Sequence, residues 1–110
     1  MRTNLPDGIW IIDAEGKTVF ANEPMTEILG TAPAAIIGED SFHFVFPEDL
    51  DAAQRLFSSK QAGDSASFHF RLRRKDGSAI WVDVQGTPMH SPAGEFTGIV
   101  STFRVSEAPS

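Results

Sequence analysis

Apolar positions change their spacing along the chain. Gly8-Ile-Trp-Ile-Ile-Asp13 is a short apolar run, Ala14-Glu15-Gly16-Lys17 carries turn chemistry, and Thr18-Val-Phe-Ala-Asn22 is a second run. Two such runs around a turn predict a β-hairpin. The period then lengthens. Asn22 is placed to cap a helix whose first turn tolerates Pro24, whose apolar face is Met25, Ile28 and Leu29, and which Gly30 stops. Pro33 to Gly38 repeats this order in miniature and predicts a second short helix. Glu39 to Phe46 reads as a loop or a single turn, because Phe42, Phe44 and Phe46 alternate as in a strand between helical flanks. Pro47-Glu-Asp-Leu-Asp51 opens a longer helix, with proline and three acids at its positive end and Leu50, Ala53, Leu56 and Phe57 as its stripe up to Gly63.

After Gly63 the period falls to two. Ala66, Phe68, Phe70 and Leu72 alternate with Ser67, His69, Arg71 and Arg73, ending in the turn Lys75-Asp76-Gly77. Ser78 to Met89 carries Ile80, Val82 and Val84 on one side and Ala79, Trp81, Asp83 and Gln85 on the other; Pro92-Ala93-Gly94 turns into a last strand, Phe96 to Val105. Two strands, several short helices and a three-stranded meander predict one five-stranded antiparallel sheet with the helices laid over one face, an α+β architecture. If Ile80, Val82 and Val84 meet the helices, Trp81 lies on the open face, and the apolar run Ile9 to Ile12 puts large side chains there as well. That face needs a cover.

Composition narrows the chemistry. The 110 residues make one domain, and a net charge of −6 repels phosphate backbones, which excludes nucleic acid as a partner. Most acids fall in turns and helix starts, where they are solvated. There is no Cys and no Tyr, so disulfides, thiolate metal sites, cysteine nucleophiles and phenol chemistry are excluded. No apolar run approaches the ~20 residues that span a bilayer, and Met1 to Gly8 lacks the order of a signal peptide, so no direct membrane contact and a cytoplasmic location are expected. Ser106 to Ser110 reads as a linker cut short.

The assembled pieces resemble the PAS domain, the sensory box of bacterial signalling proteins. Leu5 to Asn22 resembles the family's opening hairpin, Ile28-Leu-Gly30 and Pro33 to Gly38 its next helices, and Phe46-Pro-Glu-Asp49 the start of its long helix. Phe70 to Gly77 with Trp81-Val resembles its central hairpin, and Gly94 with Gly98 to Arg104 its last strand. The resemblance spans Leu5 to Glu107 and sets the domain at 1–107, with 108–110 a truncated linker to an output module. Two departures stand out. Phe46 replaces a His common in relatives, and Phe103-Arg-Val-Ser-Glu107 lacks the Asp that ties the last strand to the outgoing helix. Arg104 with Glu107 is the expected substitute pair.

The resemblance implies a pocket between the sheet and the helices, where relatives hold haem, flavin or small metabolites. Flavin adducts and the chromophore of the yellow photoreceptors need Cys, and the haem ligand of relatives is a His on the long helix, absent from Asp49 to Gly63. No cofactor is expected, and an apolar or aromatic small ligand suits the side chains. Candidate pocket residues are Met25, Ile37, Phe42, Phe44, Phe57, Phe68 and Phe70, with His43 at the mouth. His69 and His90 read as surface residues, and no His lies at metal-ligand spacing from another. No nucleophile is placed for catalysis. Trp81 is the candidate centre of a homodimer interface, and Arg104 and Glu107 of signal output. The expected role is a ligand-sensing and dimerisation module of a multidomain protein, most often a sensor histidine kinase; the alternative is a ligand-free interaction domain of a diguanylate cyclase or transcriptional regulator.

Overall fold

The computed structural model describes residues 7–63 and 67–107. Ala66, placed by its alternation in the third strand, Leu5 of the opening motif and the linker residues 108–110 lie outside the described residues. Strands β1 (Gly8–Asp13), β2 (Thr18–Ala21), β3 (Ser67–Arg73), β4 (Ala79–His90) and β5 (Phe96–Val105) form one antiparallel sheet in the order β2-β1-β5-β4-β3. The first hairpin and the meander thus meet at β1 and β5, where Trp10 lies opposite Ser101. Helices α1 (Glu23–Leu29) and α2 (Leu50–Gln61) and three single 3₁₀ turns, Pro33–Ala35, Ser41–Phe44 and Pro47–Asp49, lie between the hairpin and the meander. The five strands and the α+β class are as the periodicity predicts.

The core is continuous from α1 to the inner sheet face. Trp10, Met25, Ile28, Leu29, Ile36, Phe44, Leu72, Val82, Val84 and Phe103 make one cluster. Trp10 is its hub: its ring meets Phe44 edge-on at 5.6 Å and Phe103 at 5.5 Å, and its indole N–H donates to the buried Thr18 hydroxyl at 2.8 Å. The even positions of β1 face inward and the odd ones outward. Gly8 sets this parity, since a Cβ there would fall 2.8 Å from Met25 Sδ.

Local polar groups hold the short elements in place. Asn22 Oδ1 accepts from Met25 N–H, capping α1, and from Ile9 N–H on β1, while its side-chain NH₂ donates to the Asp7 carbonyl. The other end of α1 is closed from the meander: Arg74 donates to the Ile28 and Glu27 carbonyls, and Lys75 N–H to that of Leu29. Residues 38–41 bond along the outer edge of β2, through Gly38 N–H to the Thr18 carbonyl and Thr18 N–H to that of Glu39. An otherwise open sheet edge is thereby paired.

One helical expectation is corrected: Pro33 to Gly38 forms only the 3₁₀ turn Pro33–Ala35. Ser41–Phe44 is the single turn that the alternation of Glu39 to Phe46 left open, a 3₁₀ turn capped by the Asp40 carboxylate, which accepts from Phe42 N–H. Each stretch is too short to repay helix nucleation with further bonds.

Asn22→Ala is expected to cost about 2 kcal/mol in urea unfolding, from a lost cap and an unpaired strand N–H; Asn22→Asp, which keeps the acceptor, should lose less. In the β3–β4 turn the hydroxyl and amide of Ser78 hold the Asp76 carboxyl below its ordinary pKa. A depressed carboxylate stabilises the fold above its unfolded pKa, and that contribution is lost as pH falls through the folded value. An NMR titration of Ser78→Ala should show the Asp76 midpoint moved up toward the ordinary range.

Candidate functional site

Between α2, the turn at residues 41–45 and the inner sheet face lies an apolar cavity of about 110 Å³. The sheet supplies Trp10 and Ile12 from β1, Phe68 and Phe70 from β3, Val84 and Gly86 from β4, and Ile99, Ser101 and Phe103 from β5. The cover supplies Ser41, Phe42 and Val45, then Ala53, Leu56, Phe57 and Lys60 from α2. The rings close the walls edge to face, Phe42 on Phe57 at 6.1 Å and Phe68 on Phe70 at 6.4 Å. Edge-to-face contacts favour these orientations beyond simple burial.

Four of the expected pocket residues, Phe42, Phe57, Phe68 and Phe70, line this space. The others do not. Met25 and Phe44 are buried in the core cluster beside it. Ile37 is 47% exposed, and its neighbour Ile36 is the buried one, because the chain turns after Pro33–Ala35 instead of continuing as a helix. His43 is exposed; its carbonyl accepts from Arg73 and its ring packs on the Phe44 edge, away from the cavity.

Two lining residues escape a reading by residue type. Trp10 sits in a run with no polar position to mark its face. Lys60 is 3% exposed, and its Nζ lies 5.3 Å from the centre of the Phe68 ring. Its position was readable: Ala53, Leu56, Phe57 and Lys60 follow one another at i, i+3, i+4 and i+7, on one helical stripe. Gly86 makes room for it, since a Cβ there would lie 3.3 Å from Lys60 Cε and 3.2 Å from Ser101 Oγ.

The wall carrying Phe57 is clamped to the sheet by Arg71 on the edge strand β3. Its Nε donates to Asp49 Oδ2 at 2.6 Å and its Nη2 to Glu48 Oε2 at 3.2 Å, while the guanidinium lies 4.5 Å from the Phe46 ring centre. The Asp49 hydrogen bond, against some desolvation, raises the guanidinium above its ordinary pKa. Phe46, where relatives often carry His, is here a stacking platform for this cation.

On the open face, Trp81 is half-buried beneath His69, the two rings stacked at 4.9 Å and 10°. His69 Nδ1 lies 2.9 Å from Asp83 Oδ1 and 3.2 Å from Ser106 Oγ. His69 is thus a surface residue with a defined seat, and a partial cover for Trp81. Ile9, Ile11 and Val100 continue the face half-buried, and Phe20, opposite Ile11, is 45% exposed. The expected Arg104–Glu107 pair is corrected: Arg104 Nε lies 3.4 Å from Asp7 Oδ1. Gly8 pairs with Phe103, which sets Asp7 beside Arg104, whereas a residue three further along extended chain points the other way.

Helices over one face of a sheet with the order β2-β1-β5-β4-β3, with a small cavity between the layers, define a PAS sensory domain. The PAS fold family matches residues 1–105, and the chain belongs to that family. A curated relative, the aryl hydrocarbon receptor nuclear translocator homolog of Drosophila melanogaster, is 29% identical over 80 residues, 71% of this chain and 12% of the relative. The chain therefore spans about an eighth of that relative's length. A variant PAS-B domain of Drosophila melanogaster Cycle with bound glycerol superposes with a TM-score of 0.81 at 24% identity, covering 90% of this chain and 99% of the other. A domain of a light and redox sensing histidine kinase assigned in Haloarcula marismortui gives a TM-score of 0.77 at 23% identity, over 93% and 90% of the two chains.

Replacing Arg71 with Met keeps the apolar stem and removes the clamp. The first-turn amides of α2 are expected to exchange with solvent several times faster than in the wild type, while those of β4 and β5 keep their protection. Unchanged α2 exchange would show that the clamp carries no weight.

Proposed function

We propose that this PAS domain senses a small apolar ligand in its cavity and pairs with a second copy through the open sheet face, as the input module of a multidomain cytoplasmic signalling protein. The observation that carries the reading is the cavity, with aromatic walls, set between the sheet and a helix clamped at one end. Simple core filling would close such a space, since each void forfeits packing energy. The bound glycerol of the Cycle PAS-B structure supports a ligand role for this fold. A ligand that enters displaces Phe57 and Phe42, and with them α2 or the strands below; β5 then passes the change to the chain end beyond Val105, near the Asp7–Arg104 pair. We favour a sensor histidine kinase as the parent, in keeping with the Haloarcula relative, over a transcriptional regulator, which the Drosophila relatives support.

Toluene is a suitable first probe: it is apolar, and because the cavity of about 110 Å³ is smaller than the ~150 Å³ that admits benzene, its entry requires the cover to give. Added to the domain, it should shift the aromatic resonances of Phe42, Phe57, Phe68 and Phe70 saturably; no shift at saturation would overturn the sensing role.

The pairing rests on the apolar strip Ile9, Ile11, Phe20 and Val100 and on Trp81, which shares that face of the sheet beyond Asp83 and Arg104. Light scattering is expected to show dimers that Trp81→Asp converts to monomers, since the substitution buries an unpaired charge, and that Trp81→Ala weakens less. A wild-type domain that stays monomeric at high concentration would sink the pairing.

A further inference from the structure

Three cations stand in a row where β3 ends, Arg73, Arg74 and Lys75, in a chain whose net charge is −6. With Thr31, His43 and Phe44 they line a groove of about 310 Å³. It shares no lining residue with the apolar cavity. Two other guanidiniums are neutralised by carboxylates, Arg71 by Asp49 and Glu48 and Arg104 by Asp7. Arg73 and Arg74 hold carbonyls instead. Arg73 donates to that of His43 at 2.7 Å, and Arg74 to those of Ile28 and Glu27 at 3.0 and 3.2 Å. Gly30 leaves room for the second, since a Cβ there would fall 3.0 Å from Arg74 Nη2. A carbonyl aims a guanidinium without cancelling its charge, and most of each fork's five N–H donors stay available. Among the described residues the three cations make no ion pair, and no residue lining the groove is acidic. The neighbouring acid, Asp76, accepts from the amide and hydroxyl of Ser78, and Arg74 acts on it only through space.

We propose that this groove binds a small phosphate monoester, with the phosphate oxygens on Arg73, Arg74 and Lys75 and the organic body along Ala35 and His43. Charge and geometry select the class. Three cations less Asp76 leave two positive charges, which a phosphate monoester dianion matches and a singly charged anion does not. Adjacent residues bring their donors to one place, and a phosphate gathers its charge on one tetrahedral group, whereas a dicarboxylate divides it. Guanidinium forks held in place suit phosphate oxygens in particular. The groove is larger than a bare phosphate fills and falls in the range of small-molecule sites, which leaves space for an organic body. The site stands independently of what the apolar cavity takes.

The test titrates phenyl phosphate, its singly charged isostere phenyl sulfate, and phthalate into the isotope-labelled domain by NMR, at slightly alkaline pH and low salt. Phenyl phosphate is expected to shift the amides of Thr31, His43 and residues 73–77 saturably and to bind about tenfold tighter than phenyl sulfate. Lys75→Gln should weaken it several-fold. That variant keeps its fold, because the exposed side chain makes no bond of its own and the backbone N–H still donates to Leu29. Arg55→Gln removes the same charge from the exposed face of α2 and should leave binding unchanged. Equal loss in the two variants would reduce the effect to overall charge and overturn the site. So would phenyl sulfate or phthalate binding as tightly as phenyl phosphate, or shifts confined to Phe42, Phe57 and Phe68, which would place the ring in the apolar cavity. No saturable shift at residues 73–77 overturns it outright and leaves the sensing role standing.

Discussion

The indole of Trp10 is the point on which the architecture turns. It reaches from the second strand in the sheet to three other parts of the chain: Phe103 on β5, Phe44 in the 3₁₀ turn over the sheet, and Thr18 on β2 through its N–H. A ring of this size on a central strand fixes how closely the cover can approach, and it fills one end of the space between the layers. The cavity is what remains at the other end. Its floor follows from the size of the residues along one row of the sheet: Trp10, Ser101 and Gly86 lie abreast on β1, β5 and β4, so the floor falls from a large ring to no side chain, with Phe68 and Phe70 of β3 as a wall.

The polar groups act on a different scale. Asn22, Arg74 and Arg71 each join segments far apart in sequence, the first tying β1 to α1, the second α1 to the β3–β4 turn, the third α2 to the edge strand. Because α1 makes only two turns and the 3₁₀ segments one each, none would persist alone. The side-chain bonds supply what length does not. This division leaves the cover layer the softer of the two, held by single contacts, while the sheet below is held by continuous ladders; a ligand that moves anything moves the cover first.

How far this was legible in the sequence follows from the kind of signal. Strands announced themselves because polar and apolar residues alternate in β3 and β4, and the inward set Phe68, Phe70, Val82 and Val84 could be named from period alone. In β1 the alternation is missing, so the inward residue had to be found from its neighbours, and the only mark was Gly8, where α1 crosses too closely for any side chain. Ile36 and Ile37 are adjacent and chemically alike, so nothing but the geometry of the turn before them could decide which is buried. Arg104 was paired by proximity in sequence, whereas its partner Asp7 comes from the other end of the chain, brought near by the β1–β5 ladder.

Lys60 shows the opposite failure, in which the pattern was present and the residue type concealed it. Its place on the stripe with Ala53, Leu56 and Phe57 predicts burial, yet a lysine is read as surface because an isolated ammonium is so costly to bury. Where spacing and type conflict, the polar head must find partners inside the fold, and the Phe68 ring, 5.3 Å from Lys60 Nζ, is one of them.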